Sequence, residues 1–147
     1  MSIAALRELG FGAGLVRHLL NYEESSLLGF RCQPPHYWRS SPISARPITP
    51  LWECGTTLVY FHREAKLFEK CSLEDIDDVW VKYNSAQAIL ADLFIELYED
   101  ELTYEELGRA AHMLGFKHIE RLLAEVEVNS GPLYGQWTKL FPSTCGG

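Results

Sequence analysis

Between residues 48 and 100 the apolar positions shift from the dense, β-branched spacing of strands to the wide stripe of a helix, and the rest of the chain arranges itself about that change. Residues 56–62 (TTLVYFH) and 66–71 (KLFEKC) are rich in β-branched and aromatic side chains. The polar Arg63, Glu64 and Ala65 between them are few enough for a hairpin loop. Placing His62 opposite Leu67 sets Phe61 against Phe68 with Val59 on the same face, while Leu58, Tyr60, Leu67 and Cys71 occupy the other. Neither face is plainly wet, which predicts a sheet covered on one side and partly shielded on the other. Ser72, followed by Glu74 and Asp75, reads as the cap of a new helix. Asn84 and Gln87 repeat that arrangement ahead of Ile89, Leu90, Leu93, Phe94, Leu97 and Tyr98, a helical stripe expected to pack on the sheet. Asp92, Glu96 and Glu99 fall on the opposite face, with Asp92 and Glu96 expected to be exposed.

On the N-terminal side, residues 4–9 and 15–20 read as helices broken by Gly10, Gly12 and Gly14. The GFGAG run there lacks the glycine spacing of a dinucleotide loop and the Gly-Lys-Ser/Thr ending of a nucleotide loop, so it reads as a break. Residues 26–31 suggest an edge strand. Residues 33–50 carry Pro34, Pro35, Pro42, Pro47 and Pro50, and a chain so short of backbone donors forms a surface connection or part of a groove. Within it Tyr37, Trp38 and Arg39 are a second candidate recognition patch; the plainer expectation is that the two rings fold back to cap the core. Beyond the long helix, Thr103 and Glu106 form a capping box for a helix that stops at Gly115, and residues 117–128 start another. The tail, 129–147, keeps Leu133, Tyr134, Trp137, Leu140 and Phe141, enough apolar surface to be tied down. The expected fold is α+β, a small antiparallel sheet flanked by helices, in a single domain over 1–147 with a Pro-rich surface segment at 33–50.

Composition adds bounds. A chain of 147 residues, 47% hydrophobic and 22% charged, suits one domain with a core that needs neither disulfides nor a metal. No apolar run approaches the roughly 20 residues that span a bilayer, and no secretory signal layout opens the chain, so a cytoplasmic, non-membrane protein is expected. The net charge of −7 is concentrated: residues 64–106 hold 13 acidic residues against Lys66, Lys70 and Lys82. Glu8, Glu23 and Glu24 lie outside that region. An acidic face repels phosphate backbones, which argues against direct nucleic-acid binding, and suits a basic protein partner. The residues expected to meet it are Glu74, Asp75, Asp77 and Asp78, crowded into one helical turn, together with Asp92, Glu96 and Glu99.

Little reactive chemistry stands out. Cys32, Cys54, Cys71 and Cys145 show no metal-ligand spacing and are expected to be reduced structural thiols, with Cys145 the most exposed. The five histidines are scattered without a zinc-protease pattern, and there is no Gly-x-Ser-x-Gly elbow. Cys71 with His62 is the one nucleophile and base pair that adjacent strands could bring near each other. No cofactor, metal or enzymatic activity is expected.

The order of Pro50-Leu51-Trp52-Glu53-Cys54-Gly55, a hairpin with Tyr60, Phe61 and Phe68, an acidic capped turn and the helix carrying Ile89 and Tyr98 resembles the SUKH superfamily over residues 48–126. That resemblance implies a central sheet flanked by helices. It also implies a role like that of the many members that are bacterial immunity proteins, which bind and neutralise toxins, often nucleases; other members are regulatory or scaffolding proteins. The reading is therefore a non-catalytic protein-binding domain of the immunity type that meets a toxin through its acidic face. The alternatives are a regulatory or adaptor domain, or a small enzyme with no recognisable motif.

Overall fold

The computed structural model describes residues 3–23 and 26–146, so that Glu24 lies outside the described residues. Four antiparallel strands form a meander in the order β1 (Ile48–Cys54), β2 (Thr57–His62), β3 (Leu67–Ser72) and β4 (Asp75–Tyr83). The register expected for the hairpin is the one observed, with His62 opposite Leu67 and Phe61 opposite Phe68. Among the described residues six α-helices accompany the sheet: α1 (Ile3–Glu8), α2 (Ala13–Leu20), α3 (Ala86–Glu99), α4 (Tyr104–Leu114), α5 (Ile119–Val128) and α6 (Tyr134–Leu140). The fold is α+β.

Two readings of the central stretch are corrected by the meander. Pro50 lies inside a strand, and it is tolerated there because β1 is an edge and the register slips between Pro50 and Trp52. The acidic residues after Ser72 open no helix; Leu73 and Glu74 turn the chain, and β4 follows. Val79, Val81 and Tyr83 favour a pleated surface over a helix, and their partial burial against the sheet outweighs the capping signal. Residues 26–31 are not a strand either. Gly29 has φ +47° and opens a short 3-10 turn, Gly29–Cys32, and only Gln33 reaches a strand-like pairing, with Glu53.

The sheet has two covered faces. Trp52, Val59 and Phe68 belong to the main core with the buried stripe of α3, and Phe11, between α1 and α2, sets its ring edge-on to both Trp52 and Phe68 at 5.9 and 5.8 Å. On the other face Leu58, Tyr60 and Cys71 meet Ile43 and Ile48, with Trp38, Leu73 and Ile76 packed around them. The Pro-rich segment is thus the lid of a second, smaller core, built from the short 3-10 turns Tyr37–Ser40 and Pro42–Ala45. Each large side chain buried in these layers contributes roughly 1.5–3 kcal/mol.

Helix termini follow local chemistry. Ser85 caps α3, its Oγ accepting from the Ala88 N–H at 3.1 Å. Gln87, read from sequence as a capping residue, is buried; its side chain accepts from Lys117 N and donates to Gly115 O, both at 2.9 Å, fastening the α4–α5 corner to α3. The capping box of α4 is present in both directions, and Gly115 stops the helix at φ +72°. Gly14 is demanded by packing, since a Cβ there would fall 1.6 Å from the carbonyl oxygen of Met113 on α4. The tail is fixed by Trp137, Phe141 and Cys145 in the main core. Cys145, expected to be the most exposed thiol, is 1% exposed because Ser85 donates to its carbonyl at 2.7 Å and the helical tail folds it inward.

Candidate partner-binding face

The acidic run follows from a strand that does not pair evenly. Ser72 and Cys71 are consecutive on β3, yet their partners on β4 are Asp75 and Val79, so Ile76, Asp77 and Asp78 are thrown out of the ladder. A second slip leaves Trp80 between Val79 and Val81 without a partner. Aspartate is a poor strand former, so the sequence at this edge favours a bulge. The result is an exposed lip: Glu74, Asp75, Asp77 and Asp78 are in water, and Trp80 beside them is 50% exposed. Arg46 donates to Asp77 at 2.6 Å and to the Ile76 carbonyl at 3.3 Å, which ties the lip to the Pro-rich side of the sheet. Among the described residues Glu74, Asp75 and Asp78 have no cation within ion-pair distance.

Asp92 and Glu96 are placed differently, and the expectation that both are exposed is corrected. Lys70 reaches across from β3 to Asp92 Oδ2 at 2.6 Å and to Glu96 Oε1 at 3.3 Å, and the three side chains are only 12, 15 and 24% exposed. Arg31 donates to the other oxygen of Glu96 at 2.6 Å and grips Asp100 through two N–H groups, at 2.7 and 2.8 Å. The cause is that α3 is wrapped almost all round by the sheet, α4 and α5, so its polar side is a seam rather than an open face. Burial pushes the Glu96 carboxyl up, against the pull of Lys70, with Asp92 adding to the rise. Burial alone would lower Lys70, and the two carboxylates more than reverse it. Glu99 remains exposed and accepts from the Tyr134 hydroxyl at 3.0 Å.

The seven carboxylates therefore do not form one continuous patch. Asp92, Glu96 and Glu99 line a groove of about 520 Å³ on the helix side, which they share with Lys70, Lys139 and Trp80. Asp77 is drawn by Arg46 towards the opposite side. Trp80 on β4 stands between the two groups, bordering the groove and two residues from Asp78.

The second candidate patch is split in its own way: Trp38 packs on the smaller core, whereas Tyr37 and Arg39 are exposed. Its backbone is held by a residue that sequence reasoning passed over. Glu53, 1% exposed on β1, accepts the N–H groups of His36, Tyr37 and Trp38 at 2.9, 3.0 and 3.0 Å. The available signal was a lone charged residue in a strand otherwise without charge, which must find donors or pay heavily for burial.

Cys71 and His62 are not brought together. Cys71 lies opposite Leu58, His62 lies at the far end of β2 opposite Leu67, and the His62 ring accepts from the Ala65 N–H at 3.0 Å. His18 is buried and donates to the Cys32 carbonyl at 2.7 Å. Among the described residues no three histidine, cysteine or acidic side chains are grouped to hold a metal ion, and no helix is long and apolar enough to cross a membrane. No family model, curated protein or solved structure matches the chain.

Proposed function

We propose that the chain is a non-catalytic protein-binding domain of the immunity type, which neutralises a toxin by covering a basic, substrate-binding surface. The observation that carries this reading is the lip of β4: Glu74, Asp75 and Asp78, exposed and with no cation within ion-pair distance among the described residues, next to a half-exposed tryptophan. Unpaired acid on a surface costs repulsion and accelerates encounter with a basic partner, while an adjacent aromatic supplies buried contact area once docked. Asp92 and Glu96 contribute to the stability of the protein through their ion pairs with Lys70 and Arg31, and the lip carries recognition. The resemblance to the SUKH superfamily supports the same reading.

The test is association kinetics with a basic partner captured from the native host, at low and moderate salt. Replacing Glu74, Asp75, Asp77 and Asp78 by lysine should slow association by roughly tenfold or more at low salt and flatten its salt dependence, with circular dichroism unchanged. Replacing Glu8 and Glu23 by lysine should do much less. Equal rates for the unmodified chain and the lip variant, both folded, would remove the lip from the interface.

A further inference from the structure

We propose that a hollow at the other edge of the sheet binds a small apolar carboxylate, an aliphatic or aromatic acid of about the size of octanoate. It lies between β1, α1 and the Tyr37–Ser40 turn, and has a volume of about 330 Å³, at the lower end of the roughly 300–1,000 Å³ typical of small-molecule sites. Pro35, Trp38, Ile48 and Pro50 give it an apolar surface, and Arg39 and Arg63 line it as well. None of its lining residues is acidic. Neither arginine has a carboxylate within ion-pair distance among the described residues. Arg63 is steadied by donating one N–H to the Ile48 carbonyl, which leaves the rest of its fork available.

Two unpaired guanidinium groups beside an apolar surface select a ligand with an apolar body and an anionic, planar head, because a carboxylate accepts two parallel N–H bonds from an arginine. The site is also held ready. Glu53 fixes the backbone of the turn that carries Trp38 and Arg39, and the prolines have little freedom left to lose when a ligand arrives. The larger groove on the helix side lacks this imbalance, since the three lysines that line it, Lys70, Lys82 and Lys139, share it with three carboxylates, Asp92, Glu96 and Glu99. A free acid fits better than the end of a peptide. Pro50 has no N–H to offer, and the register slip beside it denies an added strand its regular ladder of main-chain hydrogen bonds.

Calorimetric titration of the full chain with octanoate, octanol and octylamine, followed in parallel by the indole N–H resonance of Trp38, tests the proposal. Octanoate should bind saturably with one site per chain, octanol about tenfold or more weakly, and octylamine not at all. Arg39→Leu should weaken octanoate about tenfold and leave octanol unchanged; if that variant does not fold, Arg39→Gln removes the charge with less change in polarity. Equal affinity for octanoate and octanol overturns the proposal, as does an Arg39 variant that binds octanoate like the unmodified chain, or the absence of saturable binding at millimolar octanoate. Tighter binding of an acetylated tetrapeptide ending in leucine would assign the hollow to a peptide terminus instead.

Discussion

The two edges of this sheet meet the same problem with opposite means. An edge strand exposes unpaired N–H and C=O groups that invite another strand. At β1 the answer is coverage and rigidity: Pro50 removes a donor, Gln33 pairs with Glu53, and the Glu53 carboxylate holds the Pro-rich segment against the strand. At β4 the answer is irregularity and charge: two register slips break the ladder, and Asp75, Asp77 and Asp78 line what is left. One edge has become a preformed hollow bordered by arginines and the other a solvated acidic lip. The lesson is that charge on this molecule has two separate uses, and burial distinguishes them. Carboxylates with donors beside them and little exposure, such as Glu53, Asp92 and Glu96, hold elements together; exposed carboxylates without them are free to act on a partner.

Glu53→Gln breaks the comparison at its strongest point. One oxygen is retained, but the charge that serves three N–H groups is lost in a site closed to water, so stability should fall by about 2–4 kcal/mol in urea unfolding. Amide exchange at His36, Tyr37 and Trp38 should quicken in the same variant, because those are the groups released. A loss under about 0.5 kcal/mol, the scale of an ordinary surface change, would mean that β1 is no more firmly built than β4.

Next in size is Lys70→Met, which leaves Asp92 and Glu96 in their seam without the cation between them. A cost of about 2 kcal/mol or more at neutral pH is expected, smaller than for a fully buried pair because water reaches all three side chains. Its pH dependence has a definite sign. Burial already holds Glu96 above its ordinary 4.5, and removing Lys70 raises it further. A carboxyl raised in the folded state favours folding most below its unfolded value and loses that advantage as pH rises through its folded value. The deficit of the variant relative to the unmodified chain should therefore be smallest below about pH 4.5 and grow as pH rises through the folded value of Glu96, which lies above 4.5. A deficit that is constant with pH would place the effect in lost packing of the lysine stem rather than in charge.

Much of the architecture was legible because single residues dictated it. The β2–β3 register followed from Phe61 and Phe68, and the start and end of α4 from Thr103, Glu106 and Gly115, since in each case the signal is local and no tertiary contact competes with it. The misreadings share a cause as well. Ser72, Glu74 and Asp75 look like a helix cap until β3 is known to need a partner, and the pairing of Val79 with Cys71 then decides the matter. One apolar stripe on α3 predicts that its polar positions face solvent, but a helix enclosed on several sides keeps only a narrow wet strip, and Asp92 and Glu96 pair with Lys70 and Arg31 there. Glu53 was hidden for the converse reason: its donors lie 15 to 17 residues away in sequence, in a segment whose prolines suggested a loose connection.

The smallest expected effect sharpens the comparison at the β4 edge. Asp77 accepts from Arg46 at 2.6 Å, a bond as short as any in the Lys70 seam, yet the aspartate side chain is 84% exposed and the arginine 41%. Geometry alone would rank the two pairs equally; solvent screening separates them. Asp77→Asn should change stability by no more than about 0.5 kcal/mol, and salt should reduce even that, because Arg46 keeps its bond to the Ile76 carbonyl and the amide can still accept from it. Urea unfolding of the variant and the unmodified chain at two ionic strengths decides it. A loss above about 1 kcal/mol, beyond the usual range for exposed pairs, would make the lip a packed structural element. Its unpaired neighbours Glu74, Asp75 and Asp78 would then need a structural account in place of recognition.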